Sequence, residues 1–375
     1  MIINNAKVYR NGHFESASIE FDSHIRSFSP GEGMDACGAY IIPGLIDVHT
    51  HGAMGIDASD CTAEQIHHLA QFYSDNGVTS FCFTTLTVPA DELRGAMKNI
   101  RAYERFGGEA KCAGVHLEGP FVSRGKCGAQ NPDNILKPDI ALFNELNELS
   151  GGIVRLITVA PEVEGALDFI REASKVCTVS LGHSTADYDQ AMAGFEAGAT
   201  HVTHLFNGME PFHHRKPGLV GAALTAGANV ELICDGVHIH PAMILAVHKM
   251  FGDRLIIVSD SLRCAGLCDG RYNLGGLPMI VRDGRATLLD GTIAGSSSNL
   301  LQELRNVVSY GVPLEAAVKA ATETPAKDIG VFDSIGSLEV GKCADFLVLN
   351  KDLKLMATFI DGKLVNGTTD FESVK

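Results

Sequence analysis

Residues 41–52 read Ile41-Ile42-Pro43-Gly44-Leu45-Ile46-Asp47-Val48-His49-Thr50-His51-Gly52, and the meaning of this stretch decides the fold. A mostly apolar run leads straight into two histidines separated by one residue. Alternate side chains of a β-strand share a face, so His49 and His51 project the same way, with Cα atoms about 6.6 Å apart. Two imidazoles held by one rigid strand can grip a single metal ion. A His-X-His pair also arises by chance in ordinary loops, so the stretch alone leaves both readings open.

Outward from it, apolar runs recur at 45–51, 78–84, 113–118, 154–159, 178–183, 201–205, 230–235 and 255–260. Segments of helical period lie between most of them, at 62–75, 90–103, 165–175, 186–197 and 241–251. Eight short strands, apolar on both faces and alternating with helices, are what a closed parallel (β/α)8 TIM-like barrel requires. No glycine-rich dinucleotide fingerprint follows the first run, which argues against an open doubly wound sheet. The two ends have a different texture. Strands at 2–9 and 16–21 flank an Asn11-Gly12 turn, and strands return at 336–349, 355–360 and 363–366 around Asp361-Gly362. They predict a small β-sandwich domain built from both chain ends, residues 1–42 and 334–375, beside a catalytic barrel at 43–333.

The totals narrow the class. In 375 residues, 45% are hydrophobic and 20% charged, which calls for a large buried core rather than disorder. A net charge of −15 argues against nucleic acid or an anionic membrane as partner, so an anionic substrate needs a local patch of cations. Ten cysteines without a Cys-x-x-Cys pair, in a chain with no apparent export signal, read as reduced and mostly buried thiols of a cytoplasmic protein. No apolar run approaches the ~20 residues of a membrane span.

In a barrel of this kind the site is built at the C-terminal ends of the strands. There stand His49 and His51 (first run), Glu118 (third), His183 (fifth), His204 (sixth) and Asp260 (eighth). Each alone has a dull explanation, such as a helix cap or a hydrogen-bonded core histidine. Six at one end of the same barrel do not. Four imidazoles and two carboxylates suit Zn²⁺ or Fe²⁺ better than Mg²⁺. His67, His68, His201 and His248 read as structural, and His116 as a neighbour of the site on the strand of Glu118. Cys264 and Cys268 read as loop residues.

Taken in order, His49-Thr-His51, His116-Leu-Glu118-Gly-Pro, Gly182-His183-Ser, Thr203-His204-Leu-Phe-Asn207-Gly-Met, Asp235-Gly-Val-His238 and Ser259-Asp260 form one pattern. It resembles the amidohydrolase superfamily and, within it, the N-acetylglucosamine-6-phosphate deacetylase family, over nearly the whole chain. The stretch Val154-Arg-Leu-Ile-Thr-Val-Ala160 contains no lysine for carbamylation, unlike the dihydroorotase and hydantoinase branches.

The resemblance implies an amide-hydrolysing enzyme with one or two divalent ions, Zn²⁺ or Fe²⁺, per subunit. Glu118, His183 and His204 would bind the more constant ion, and His49 and His51, sharing Glu118, a second. Asp260 would be the acid–base group. The substrate implied is an amino-sugar phosphate, with N-acetylgalactosamine 6-phosphate or another N-acyl compound as the alternative. Where well-known members carry a histidine that polarises the carbonyl, this chain has Gly128-Ala129-Gln130-Asn-Pro132, so Gln130 would act as a neutral donor. Arg215, within the basic run His213-His-Arg-Lys216, and His238 match phosphate-contacting positions, the arginine reaching in from the other subunit of a homodimer. Ala129, Asn207, Gly208, Ile293, Ala294 and Gly295 match contacts to the sugar.

Overall fold

The computed structural model describes residues 1–371. Eight parallel strands pair in sequence order: β1 (Leu45–Thr50), β2 (Val78–Thr85), β3 (Lys111–Glu118), β4 (Val154–Val159), β5 (Thr178–Leu181), β6 (His201–Val202), β7 (Asn229–Ile233) and β8 (Leu255–Val258). Every residue of β1 and β2 is buried, because helices cover one face and the packed barrel interior the other. The ring closes between β8 and β1. The carboxylate of Asp47 accepts the Ser259 hydroxyl at 2.6 Å, and at the rim the Asp260 amide donates to the His49 carbonyl at 2.9 Å. Thr50 pairs with Ser261 just beyond.

The helices predicted from periodicity form. The helix Ala63–Asp75 is typical: Thr62 caps its Gln65 amide, the Gln65 side chain returns the bond, and Ile66, Leu69, Ala70 and Tyr73 are buried along one face. The sequence reading passed over further helices at Ile140–Leu149, Gly218–Ala226, Leu300–Ser309, Leu314–Ala321 and Glu323–Asp328.

The two chain ends join in one mixed sheet. Its order is 363–367, 355–360, 346–349, 40–43, 2–10, 13–21 and 25–27, with a short strand at 34–35 also beside 2–10. The sheet curls until its ends meet: the Ala344 amide donates to the Ser23 carbonyl at 3.0 Å, and the Phe21 ring lies 4.9 Å from Phe346 and 5.5 Å from Phe359. It is thus a sandwich folded from a single sheet around Ile3, Val8, Ile19, Phe21, Ile41 and Phe346. Lys111, at the start of β3, bridges to it through Asp345 at 2.7 Å and Asp361 at 2.5 Å.

Three features differ from expectation. A three-stranded antiparallel sheet (Gly270–Leu274, Leu277–Arg282, Arg285–Leu288) follows β8, turning at Gly275-Gly276 and at Asp283-Gly284. Those dipeptides are hairpin signals that the barrel pattern overshadowed. Strands β5 and β6 are shorter than their apolar runs. The cysteines are free, but only Cys61, Cys82, Cys234 and Cys264 are fully buried, and Cys268 is exposed. No helix among the described residues is long and apolar enough to cross a membrane.

Candidate active site

Because β5 stops at Leu181 and β6 at Val202, His183 and His204 lie in the turns just past their strands. His183, His204 and Asp260 all adopt left-handed backbone conformations, with φ of 46°, 26° and 47°. Each such residue costs about 1–3 kcal/mol and persists only where its surroundings hold it. The holding bonds are visible. Ser123 donates to the His183 carbonyl (2.9 Å), His204 donates its amide to the Glu231 carboxylate (3.0 Å), and Asp260 is tied on both sides, to His49 and Ser296.

These turns aim their side chains at one carboxylate. Glu118 Oε1 lies 2.9 Å from His183 Nε2 and 2.8 Å from His204 Nε2. Its Oε2 lies 3.2 Å from His51 Nε2, which is also 3.2 Å from Asp260 Oδ1. His49 Nε2 stands 3.5 Å from both Glu118 Oε1 and Asp260 Oδ1. Two groups of converging ligand atoms result, Glu118–His183–His204 and His49–His51–Asp260, with Glu118 between them.

The donor set fits a metal ion. His49 Nε2 is buried, points at two carboxylates and has no hydrogen-bond partner, and buried polar groups rarely go unpaired. Its other nitrogen is bound to Glu231 at 2.8 Å, which fixes the tautomer that leaves Nε2 free to coordinate. The surroundings also keep both carboxylates ionised. Burial would drive the Glu118 carboxyl up, yet His49 and His183 hold it well below its ordinary range. Burial likewise opposes ionisation of Asp260, but His49 and His51 keep it below its usual value. His116 lies outside the pocket: it bonds Thr158 at 2.8 Å, its ring packs 4.6 Å from His49, and burial holds it neutral.

Above these groups opens a pocket of about 180 Å³. Every site residue expected from the sequence lines it except His49, which lies beneath, and Arg215. Gln130 forms part of its floor: its carbonyl accepts the Thr87 amide (2.7 Å) and its amide nitrogen donates to Glu118 Oε2. His238 spans Asp235 (2.7 Å) and the Ala294 carbonyl (2.7 Å), so both ring nitrogens donate and the ring is cationic. Burial works against that charge, but Asp235 outweighs it and raises the imidazole above its ordinary value. Two glycines are forced by crowding. A Cβ on Gly208 would sit 2.9 Å from His183 Nδ1, and one on Gly295 would sit 2.5 Å from the Asp260 carbonyl oxygen and 2.9 Å from its Oδ1. Arg215 is exposed, outside the pocket of its own chain, with its guanidinium 2.7 Å from His214.

Glu231 is the residue the sequence reading missed. A single glutamate inside the buried strand Asn229–Ile233 was the available signal, since an unpaired carboxylate is not left in a barrel interior. His67 is structural as expected, stacked 4.0 Å from Phe106 and bonded to Glu109.

The chain is similar to known proteins in sequence and in fold. The amidohydrolase family model matches residues 40–365. The N-acetylglucosamine-6-phosphate deacetylase of Vibrio furnissii is 36% identical over 330 residues, covering 87% of this chain and 82% of that protein. The N-acetylgalactosamine-6-phosphate deacetylase of Escherichia coli O157:H7 is also 36% identical, covering 87% and 88%. Among solved structures, a mutant N-acetyl-D-glucosamine-6-phosphate deacetylase from Mycobacterium smegmatis, in complex with N-acetyl-D-glucosamine-6-phosphate, superposes with a TM-score of 0.92. It is 31% identical, and the match covers 98% of this chain and 99% of that one. Read together with the geometry of the pocket, these likenesses make the chain a member of the N-acetylglucosamine-6-phosphate deacetylase branch of the amidohydrolase family.

Proposed function

We propose that this chain hydrolyses the acetamide of N-acetyl-D-glucosamine 6-phosphate, releasing acetate and D-glucosamine 6-phosphate. The observation that carries the reading is the Glu118 carboxylate set between two groups of ligand atoms, with Asp260 facing the same pocket.

Glu118, His183 and His204 would hold the more constant ion, Zn²⁺ or Fe²⁺, and His49 and His51 with Glu118 a second. An ion held there would lower the pKa of nearby water toward neutrality and polarise the amide carbonyl. The chain's own groups do the rest. Asp260 takes a proton from the attacking water and delivers it to the departing amine, which is too basic to leave as an anion. Gln130 donates a neutral hydrogen bond to the carbonyl oxygen as negative charge develops on it. The backbone at Asn207-Gly208 and Ile293-Ala294-Gly295, with Ala129, contacts the sugar. Cationic His238, whose two N–H groups are held by Asp235 and Ala294, attracts the phosphate by its charge, and an Arg215 from the partner subunit binds it directly, which makes the working unit a homodimer. That Arg215 is exposed and lies outside its own pocket supports this assignment. The barrel, residues 43–333, carries the chemistry, and residues 1–42 with 334–375 form the small domain. The reading places the enzyme in the cytoplasm, where free thiols persist.

The test is acetate release from N-acetylglucosamine 6-phosphate by chelator-treated protein, before and after Zn²⁺ or Fe²⁺ is restored. Restored turnover is expected; turnover indifferent to the chelator would overturn the reading. The galactosamine epimer is the alternative, because a relative with that specificity is equally identical to this chain. Comparing kcat/KM for the two epimers decides between them.

A further inference from the structure

A chain of alternating acids and imidazoles runs from the pocket floor down through the barrel interior. His49 Nδ1 bonds Glu231 Oε2 at 2.8 Å, and Glu231 Oε1 stands 3.1 Å from His201 Nε2, an ion-pair contact without hydrogen-bond geometry. His201 Nδ1 bonds Asp328 Oδ2 at 2.7 Å. Asp328 lies on the helix Glu323–Asp328 and is fixed in turn by Asn229, whose amide donates to Oδ1 at 2.7 Å, and by Thr178, whose hydroxyl donates to its backbone carbonyl at 2.7 Å. His49, Glu231 and His201 have no exposed surface. None of Glu231, His201 and Asp328 lines the pocket.

Glu231 is the branch point. The Oε2 that receives His49 also receives the backbone amide of His204 at 3.0 Å, and the Glu231 carbonyl accepts the amide of Leu205 at 2.8 Å. One residue therefore orients His49, in the His49–His51–Asp260 group, and clamps the left-handed turn that carries His204, in the Glu118–His183–His204 group. A carboxylate behind a coordinating imidazole fixes its tautomer and ring direction. Here that support is shared by two groups and is anchored at the far end of the barrel interior.

We propose that Glu231, buttressed by His201 and Asp328, is the positioning residue that couples the two ion groups, so that Asp328 tunes metal affinity from outside the pocket. This rests on the metal-dependent reading above. The test is calorimetric Zn²⁺ titration of chelator-stripped wild type and of Glu231→Leu, Glu231→Gln and Asp328→Asn, with the visible spectrum of the Co²⁺-loaded forms and circular dichroism as a check on folding. Glu231→Leu, which removes the acceptor at similar volume, is expected to weaken Zn²⁺ binding about 10–100-fold and to change the Co²⁺ spectrum. Glu231→Gln, which keeps one acceptor, should recover much of that loss, and Asp328→Asn should weaken binding about 3-fold. A folded Glu231→Leu that binds Zn²⁺ like wild type overturns the proposal. If that variant does not fold, wild-type affinity in both Glu231→Gln and Asp328→Asn overturns it. Wild type that takes up no divalent ion defeats the metal reading itself, whereas wild type that binds while the folded variants match it defeats this inference alone.

Discussion

The amide of Asp260 donates to the carbonyl of His49 across 2.9 Å, and this one bond belongs both to barrel closure and to the candidate catalytic centre. Strands one and eight lie at the two ends of the sequence-ordered sheet, so closure of the barrel is what sets His49 and His51 beside Asp260. Asp47 and Ser259 join the same two strands one layer lower, at 2.6 Å.

Asp260→Asn keeps the shape of the side chain and removes its capacity to accept and return a proton. Turnover of N-acetylglucosamine 6-phosphate is expected to fall on the order of 10³-fold with KM little changed. Because Asp260 Oδ1 also lies 3.2 Å from His51 Nε2, metal content should be measured on the same sample. A variant with wild-type metal and wild-type kcat would remove Asp260 from the acid–base role.

Gln130→Ala deletes the neutral donor beside Glu118. A fall in kcat of roughly 10²-fold, with a smaller change in KM, is expected for the loss of one donor to a developing oxyanion. Unchanged kcat would show that the Gln130 amide serves only to bridge Thr87 and Glu118.

Gly295→Ala tests the space left for the acid. Its Cβ would crowd Asp260 Oδ1 at 2.9 Å, so activity should drop at least about 10-fold while the strand core stays folded, as misplacing a reacting group does. The checks are kcat alongside thermal unfolding; full activity would mean the 293–296 segment shifts freely.

Arg215→Ala should raise KM for the phosphorylated sugar by about 10–100-fold, the loss of a charge-assisted pair. Mixing it with Asp260→Asn distinguishes the origin of the arginine. If Arg215 acts across a dimer interface, exchange creates one intact site per mixed dimer, and activity recovers to about a quarter of wild type. No recovery after verified subunit exchange would assign Arg215 to its own chain or to no site.

Lys111→Met strands Asp345, whose side chain is 4% exposed, beside Asp361. Leaving a buried charge uncompensated costs about 3–5 kcal/mol, read as a lower urea midpoint. The share of the pH dependence carried by Asp361 has a defined sign. Burial raises the Asp361 carboxyl, but its bonds to Lys111 and Arg105 outweigh this and hold it below 3.8. Its contribution is therefore fully present above the unfolded value and is lost as pH falls through the depressed folded one. Lys111→Met should flatten that acid limb.

Much of the site was legible because a parallel barrel puts the C-terminal ends of all its strands at one rim. Once eight apolar runs were recognised, His49, His51, Glu118, His183, His204 and Asp260 could be placed on one face without coordinates. Two hairpin dipeptides, Gly275-Gly276 and Asp283-Gly284, were equally visible and lost only because βα alternation dominated the reading.

The sequence by itself determined the strand order, five of the covering helices and the residue types gathered at the rim, since these follow from local period and from the topology that period imposes. Only the tertiary structure decided which atoms face each other. That Glu118 stands between two ligand groups, and that Glu231 backs both His49 and the His204 turn, depends on side-chain directions across strands 27 to 182 residues apart. Period reports which face a residue occupies. It does not report what lies opposite, and in a closed barrel the opposite wall belongs to a different strand.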